Sequence, residues 1–150
     1  MAILSWGKCT ITYAVSEDGA AASDATWTEI DTPKKDTTEL TTTAGDETLA
    51  QEEGGEVVDA RYGKASYELA FDLFVKKDVD RPWDDTDGVI DNEYALRVVP
   101  EDTSCEGIQI DRCILRVEES YTTADGKTLH YVAKCLKPAS GKTVKPYTAG

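Results

Sequence analysis

Apolar and polar residues alternate with a period of two along most of the 150-residue chain, and Thr, Val, Ile and Tyr are frequent where they do. That period puts one set of side chains on each face of a strand. Glycine-containing turn signals, Asp18-Gly19, Gly54-Gly55 and Asp125-Gly126, punctuate the alternating runs, as in strands joined by tight turns. These features predict a mainly β protein, a β-sandwich or partly open β-barrel with one short helix. A chain of this length buries roughly 68–70% of its unfolded surface, enough for a real core. One β domain is assigned to residues 1–136, and residues 137–150 are left as a C-terminal arm.

The first strand is expected over Ile3 to Val15, where Cys9, Ile11 and Tyr13 alternate with Lys8, Thr10 and Thr12 and Gly7 marks a bend. The loop SEDGAAASDA follows, with side chains too small to build a core. Trp27 to Asp31 reads as a short strand closed by Pro33, and Thr37 to Thr43 with Glu47 to Glu52 predict a hairpin around Ala44-Gly45-Asp46. After Gly54-Gly55, Glu56 to Arg61 is extended. Lys64 to Lys76 has the clearest phase. Tyr67, Leu69, Phe71, Leu73 and Val75 share the core face, and Ser66, Glu68, Ala70 and Asp72 share the wet one. A slip of one residue would bury Glu68 and Asp72.

Residues 78–93 break the alternation at Pro82 and Gly88 and are the segment expected to hold the short helix. Tyr94 to Val99 is a strand that stops at Pro100. Gly107 to Tyr121 and Thr128 to Leu136 form a hairpin through Asp125-Gly126. The tail, KPASGKTVKPYTAG, has little to bury and is expected to be an arm or a frayed end.

The chain carries 29 acidic residues against 16 basic ones, a net charge of −13, and its pI is near 4.4. Residues 17–93 hold 22 acidic side chains against 7 basic, whereas residues 94–150 hold 7 against 8. Such a surface argues against binding nucleic acid through neutralised phosphates. No apolar run approaches the roughly 20 residues of a membrane-spanning helix. The opening MAILSWGKCTITY has no charged region ahead of an apolar stretch and no small-residue cleavage site, so synthesis for the cytoplasm is expected. Cys9, Cys105, Cys113 and Cys135 lie far apart without a C-x-x-C pair, and are expected to be reduced and mostly buried.

Catalysis by nucleophile and base calls for a tuned base such as histidine. His130 is the one histidine, in a strand among polar neighbours, and is expected at the surface. The same scarcity argues against a zinc site. Asp84, Asp85, Asp87 and Asp91 cluster, but an EF-hand register set on Gly88 would put Trp83 and Tyr94 at its first and last ligand positions. The cluster is read as a solvated acidic helix start, with weak, irregular calcium binding as the alternative. Gly54-Gly55 lacks phosphate-loop spacing and leads into a strand. Neither an enzyme nor a cofactor is expected.

The stretch EGGEVVDARYGKASYELAFDLFVKKD, residues 53–78, resembles the tail tube proteins (major tail proteins) of phages and prophages, the Bacteroidetes type in particular. In those proteins an acidic, Thr-rich hairpin leads through a Gly-Gly turn and a Val-Asp pair into a long amphipathic strand. Gly54-Gly55, Val58-Asp59 and the strand ending at Leu73-Phe74 stand in that order here. The resemblance implies a tail-tube-like sandwich or open barrel whose protomers form hexameric rings, stacked into a tube that DNA traverses.

On that resemblance the chain is expected in the virion tail, after synthesis in the cytoplasm of the bacterial host. Its partners would be other copies of itself and other tail proteins, with DNA only in transit and no membrane. Glu47, Glu52, Glu68 and Asp72 are expected to face the lumen, where like charge repels a passing duplex over roughly 8 Å. Thr41, Thr42 and Thr43 of the acidic hairpin, with Lys142, Val144, Lys145 and Tyr147 of the arm, are expected at the subunit interface. Residues 125–145 carry five lysines against one aspartate, so the chain has two unlike surfaces for a heterologous contact. Two alternatives stand beside this reading: the inner tube protein of a contractile injection or type VI secretion system, and a monomeric β-sandwich binding module.

Overall fold

A computed structural model describes residues 4–149. In chain order its strands are β1 (Thr10–Glu17), β2 (Ala20–Ala21), β3 (Thr28–Glu29), β4 (Glu39–Thr43), β5 (Glu47–Gln51), β6 (Val57–Tyr62), β7 (Ser66–Phe74), β8 (Tyr94–Val99), β9 (Gly107–Thr122), β10 (Gly126–Cys135) and β11 (Val144–Tyr147). Nine of them form one sheet in the order β2-β1-β8-β9-β10-β7-β4, with β3 beside β1 and β11 beside β9. The sheet curls into an open half-barrel. β5 and β6 pair with each other as a separate two-stranded ribbon. The mainly β class is therefore as expected.

The alternation of β7 sets the core. Leu69, Phe71 and Leu73 are buried on the inner face, beside Leu129, Tyr131 and Ala133 of β10 and Cys113, Leu115 and Val117 of β9. Each large apolar side chain buried there contributes about 1.5–3 kcal/mol. Val75, expected on the same face, lies beyond the end of β7 and is exposed. Between β8 and β9, Tyr94 pairs with Cys113 but Leu96 with Ile110. The extra β9 residue is a bulge, which carries the buried phase from Ile110 over to Cys113.

Three expectations are corrected. First, none of the described residues is helical. Residues 78–93 form a loop that inserts Trp83 into the half-barrel, where it is 3% exposed. Its ring centroid lies 4.9 Å from that of Tyr13, 5.3 Å from Tyr131, 5.8 Å from Tyr94 and 6.2 Å from Phe71. Pro82 resists a helix interior, Asp78, Asp87 and Asn92 adopt positive φ, and burying the indole among four rings outweighs a turn of helix. The loop thus fills the place where a sandwich would put its second sheet.

Second, the two strands flanking Ala44-Gly45-Asp46 do not pair with each other. β4 joins the main sheet against β7, and β5 pairs with β6 around Gly54-Gly55. Both glycines have positive φ, 97° at Gly54 and 93° at Gly55, a conformation other residues rarely adopt. That turn chemistry selects the hairpin, and Leu40 ties β4 to the core.

Third, the C-terminal arm is not free. β11 pairs with β9 of its own chain, from Val144 opposite Ile110 to Tyr147 opposite Gly107. Lys145 forms an ion pair with the buried Asp111. The Arg97 guanidinium lies 3.9 Å from the ring centre of Trp27 and 4.7 Å from that of Tyr147. The expected first strand begins at Thr10 rather than Ile3, and both Ile3 and the arm's last residue, Gly150, lie outside the described residues.

Candidate assembly surfaces

The face of the main sheet opposite the core is hydrophilic along β7, where Glu68 and Asp72 point the same way and only Ala70 stands between them on that face. Neither carboxylate is bare. Lys134, opposite Glu68 in the register, places Nζ 3.7 Å from it, and His130, opposite Asp72, places Nδ1 2.5 Å from Oδ1. One strand further, Glu118 stands opposite His130 and Arg116 opposite Val132. Opposite charges across neighbouring strands contribute roughly 0.2–1 kcal/mol, whereas like charges there destabilise. A wall of unpaired carboxylates at these positions is therefore corrected to a face on which Glu68 pairs with Lys134 and Asp72 is hydrogen-bonded to His130.

Glu47 and Glu52 lie elsewhere. Glu47 is in β5 and Glu52 opens the turn of the ribbon, so the four acids expected in one lumen wall divide between two surfaces. Thr41, Thr42 and Thr43 are exposed on β4, which ends the strand order of the sheet. The outer edge of such a strand offers unpaired backbone groups to another chain. Of the expected interface residues in the arm, Val144, Lys145 and Tyr147 are engaged within their own domain as described above, and Lys142 is exposed in the turn before β11.

The ribbon is the most unusual surface. Every residue of β5 and β6 is exposed. Register places Leu49 opposite Ala60 and Glu47 opposite Tyr62, so Leu49, Val58, Ala60 and Tyr62 share a face by their spacing. Leu49 is 43% exposed, Val58 58% and Tyr62 76%. Residues 46–62 also carry six acids against one arginine. A two-stranded hairpin is marginally stable alone in water, and the apolar face of this one stays exposed among the described residues. Sequence reasoning named the Thr side of this region and missed Leu49, Val58 and Tyr62. Their signal was an apolar alternation inside an acidic segment bracketed by Gly45 and Gly63.

Elsewhere the charges are structural. Glu93 and Arg112 make a two-pronged pair, at 3.0 and 2.8 Å. Arg81 and Lys127 beside Glu119 hold its carboxyl below the usual range, as Lys76 does for Asp31. All four cysteines are free. Cys113 and Cys135 are directly opposite in the β9–β10 register. Burial pushes both thiols up, Cys135 to about 11, which suppresses the reactive thiolate. Among the described residues, no three His, Cys, Asp or Glu side chains are grouped to hold a metal ion, at the Asp84–Asp91 loop or elsewhere. No described helix is long and apolar enough to cross a membrane.

No protein-family model matches the chain, and a search of curated proteins finds no significant match.

Proposed function

We propose that the chain is a self-assembling structural protein whose protomers close into rings, stacked as in a phage tail tube. The observation that carries this reading is the ribbon: a two-stranded element exposed at every residue of both strands, with Leu49, Val58 and Tyr62 gathered on one face. Burying that face against a neighbour would stabilise the ribbon and the assembly together. The contact joins unlike surfaces, which is the kind that closes rings. The hydrophilic face of Glu68, Asp72, His130 and Lys134 would then line the channel, in the virion tail, after synthesis in the bacterial host cytoplasm. Other tail proteins would cap the tube, and DNA would pass without being held.

Size-exclusion chromatography with light scattering, followed by electron microscopy, tests the reading. The full chain should form rings or tubes. Replacing residues 46–62 with a short Gly-Ser link should leave a folded monomer with an intact core. A full-length protein that stays monomeric at high concentration would overturn assembly and favour a binding module.

A further inference from the structure

A cavity of about 430 Å³ opens where the chain enters β1 and where it approaches β4, lined among others by Lys8, Cys9, Pro33, Lys34, Lys35 and Asp36. Three lysines against one acid is a local reversal of sign in a chain of net charge −13. Lys34 is tied to Asp125 at 3.3 Å. Lys8 and Lys35 are exposed, and neither meets a carboxylate within 4.0 Å among the described residues. The cavity is thus a half-enclosed cationic site with two uncommitted ammonium groups.

The ribbon ends in the complementary charge. Glu52, Glu53 and Glu56 surround Gly54-Gly55, and a methyl group added to either glycine would meet nothing within 4 Å. The tip is therefore slim and unobstructed. Five residues of strand carry it roughly 17 Å from its root, and no ribbon residue lines the cavity of its own chain.

We infer that the acidic ribbon tip of one copy docks in the Lys8–Lys35 cavity of the next copy. The inference rests on the assembly reading and names the receptor for its ribbon. Carboxylates enter a site where the Lys8 and Lys35 ammonium groups have no carboxylate partner among the described residues, while the apolar face of the ribbon lies along the neighbour's surface. Complementary charge fixes which surfaces meet and speeds their encounter. Because both partners are near the surface, the step is sensitive to salt, whose screening length shortens from about 8 Å at physiological strength to about 3 Å at 1 M.

Cys9 gives the site its own reporter, since this partly buried residue lines the cavity and its Sγ lies 3.7 Å from Thr38 Oγ1, which lines it too. In a Cys105→Ser background, Glu53→Cys treated with diamide, which takes up the two electrons and two protons of each disulfide formed, should give a ladder of covalent multimers, and adding Cys9→Ser should abolish the ladder. Separately, Lys8→Glu/Lys35→Glu and Glu52→Lys/Glu53→Lys/Glu56→Lys should each slow assembly at least tenfold with unchanged thermal melts. Mixing the two variants should restore it through the reversed charges. If the unmodified chain never assembles, the assembly reading fails and this inference falls with it. If the chain assembles and needs its ribbon, yet gives no Cys9-dependent ladder and tolerates Lys8→Glu/Lys35→Glu, the docking site is wrong and assembly stands.

Discussion

Gly45 and Gly63 lie back to back at the root of the ribbon, so that a methyl group built on Gly45 would fall 2.2 Å from the Gly63 carbonyl oxygen. The two chain segments are held there by Gly63 N–H donating to the Asp46 carbonyl at 2.7 Å. The obstructing atoms are backbone, so no side-chain rotation relieves the clash. Gly45→Ala is expected to displace the ribbon and reduce assembly at least tenfold, with the core melt within about 2 °C of the parent. Gly63→Ala should be milder, because its methyl group would come no closer than 3.3 Å, to Asp46 N. Light scattering and thermal melts on the pair check this; equal assembly by both variants would sink it.

The inserted indole is expected to dominate core stability. Trp83→Ala removes the side chain that fills the half-barrel and should cost about 3–5 kcal/mol, or roughly 6–20 °C in Tm for a chain of this size. Tyr131 behaves oppositely. It is fully buried, its hydroxyl has no partner among the described residues, and burial pushes the phenol up to about 12. Tyr131→Phe should therefore be neutral or stabilising by up to about 1 kcal/mol, since it deletes a buried polar atom that makes no hydrogen bond. A loss above about 1 kcal/mol in urea unfolding would contradict that.

The strands were legible wherever local pattern and tertiary need coincide. β8 runs from Tyr94 to Val99 and stops before Pro100 as the sequence predicts, and the phase of Leu69, Phe71 and Leu73 follows directly from their spacing. Pairing was less legible, because it depends on competition between turns. Ala44-Gly45-Asp46 reads as a hairpin until Gly54-Gly55, with two positive φ angles, is seen to make the better one. Trp83 was hidden for another reason. An acidic, proline-containing segment reads as surface, and only the finished curl of the sheet creates the cavity its ring fills. The partners of Glu68 and Asp72 come from a strand more than fifty residues away, beyond the reach of any local period.

Acid should weaken the fold through its committed carboxylates. Arg112 beside Glu93, and Arg81 with Lys127 beside Glu119, hold both carboxyls below the usual range. A folded pKa below the unfolded one means that the stabilisation is complete above the ordinary value, about 4.3 for glutamate. It is lost as pH falls through the depressed folded value. Urea midpoints should thus lose this contribution only below about pH 4.3, and the parent should fall more steeply there than Glu93→Gln/Glu119→Gln. General relief of self-repulsion acts on both proteins alike. Parallel curves from pH 7 to pH 3 would show that these pairs do not stabilise the fold.

The C-terminal strand provides the sharpest contrast between charge pattern and structure. Lysines on an acid-free tail suggest attachment to a neighbour, yet Lys145 meets Asp111 of its own chain, a residue that is only 6% exposed. Asp111 also accepts from Gln109 Nε2 at 2.8 Å, while its backbone carbonyl accepts from Ser16 Oγ at 2.8 Å. Lys145→Ala should cost about 1–3 kcal/mol, because it leaves a buried carboxylate without its cation. Truncation after Leu136 should cost more, since it also strips β11 from Gly107–Ile110 and exposes that stretch of β9. Tyr147→Ala, which removes one ring from beside Arg97, should fall between no effect and Lys145→Ala. Urea unfolding at pH 7 ranks the three variants. If truncation instead left stability unchanged and only slowed assembly in a salt-dependent way, Val144–Tyr147 would be acting on a neighbour, as the charge pattern alone suggests.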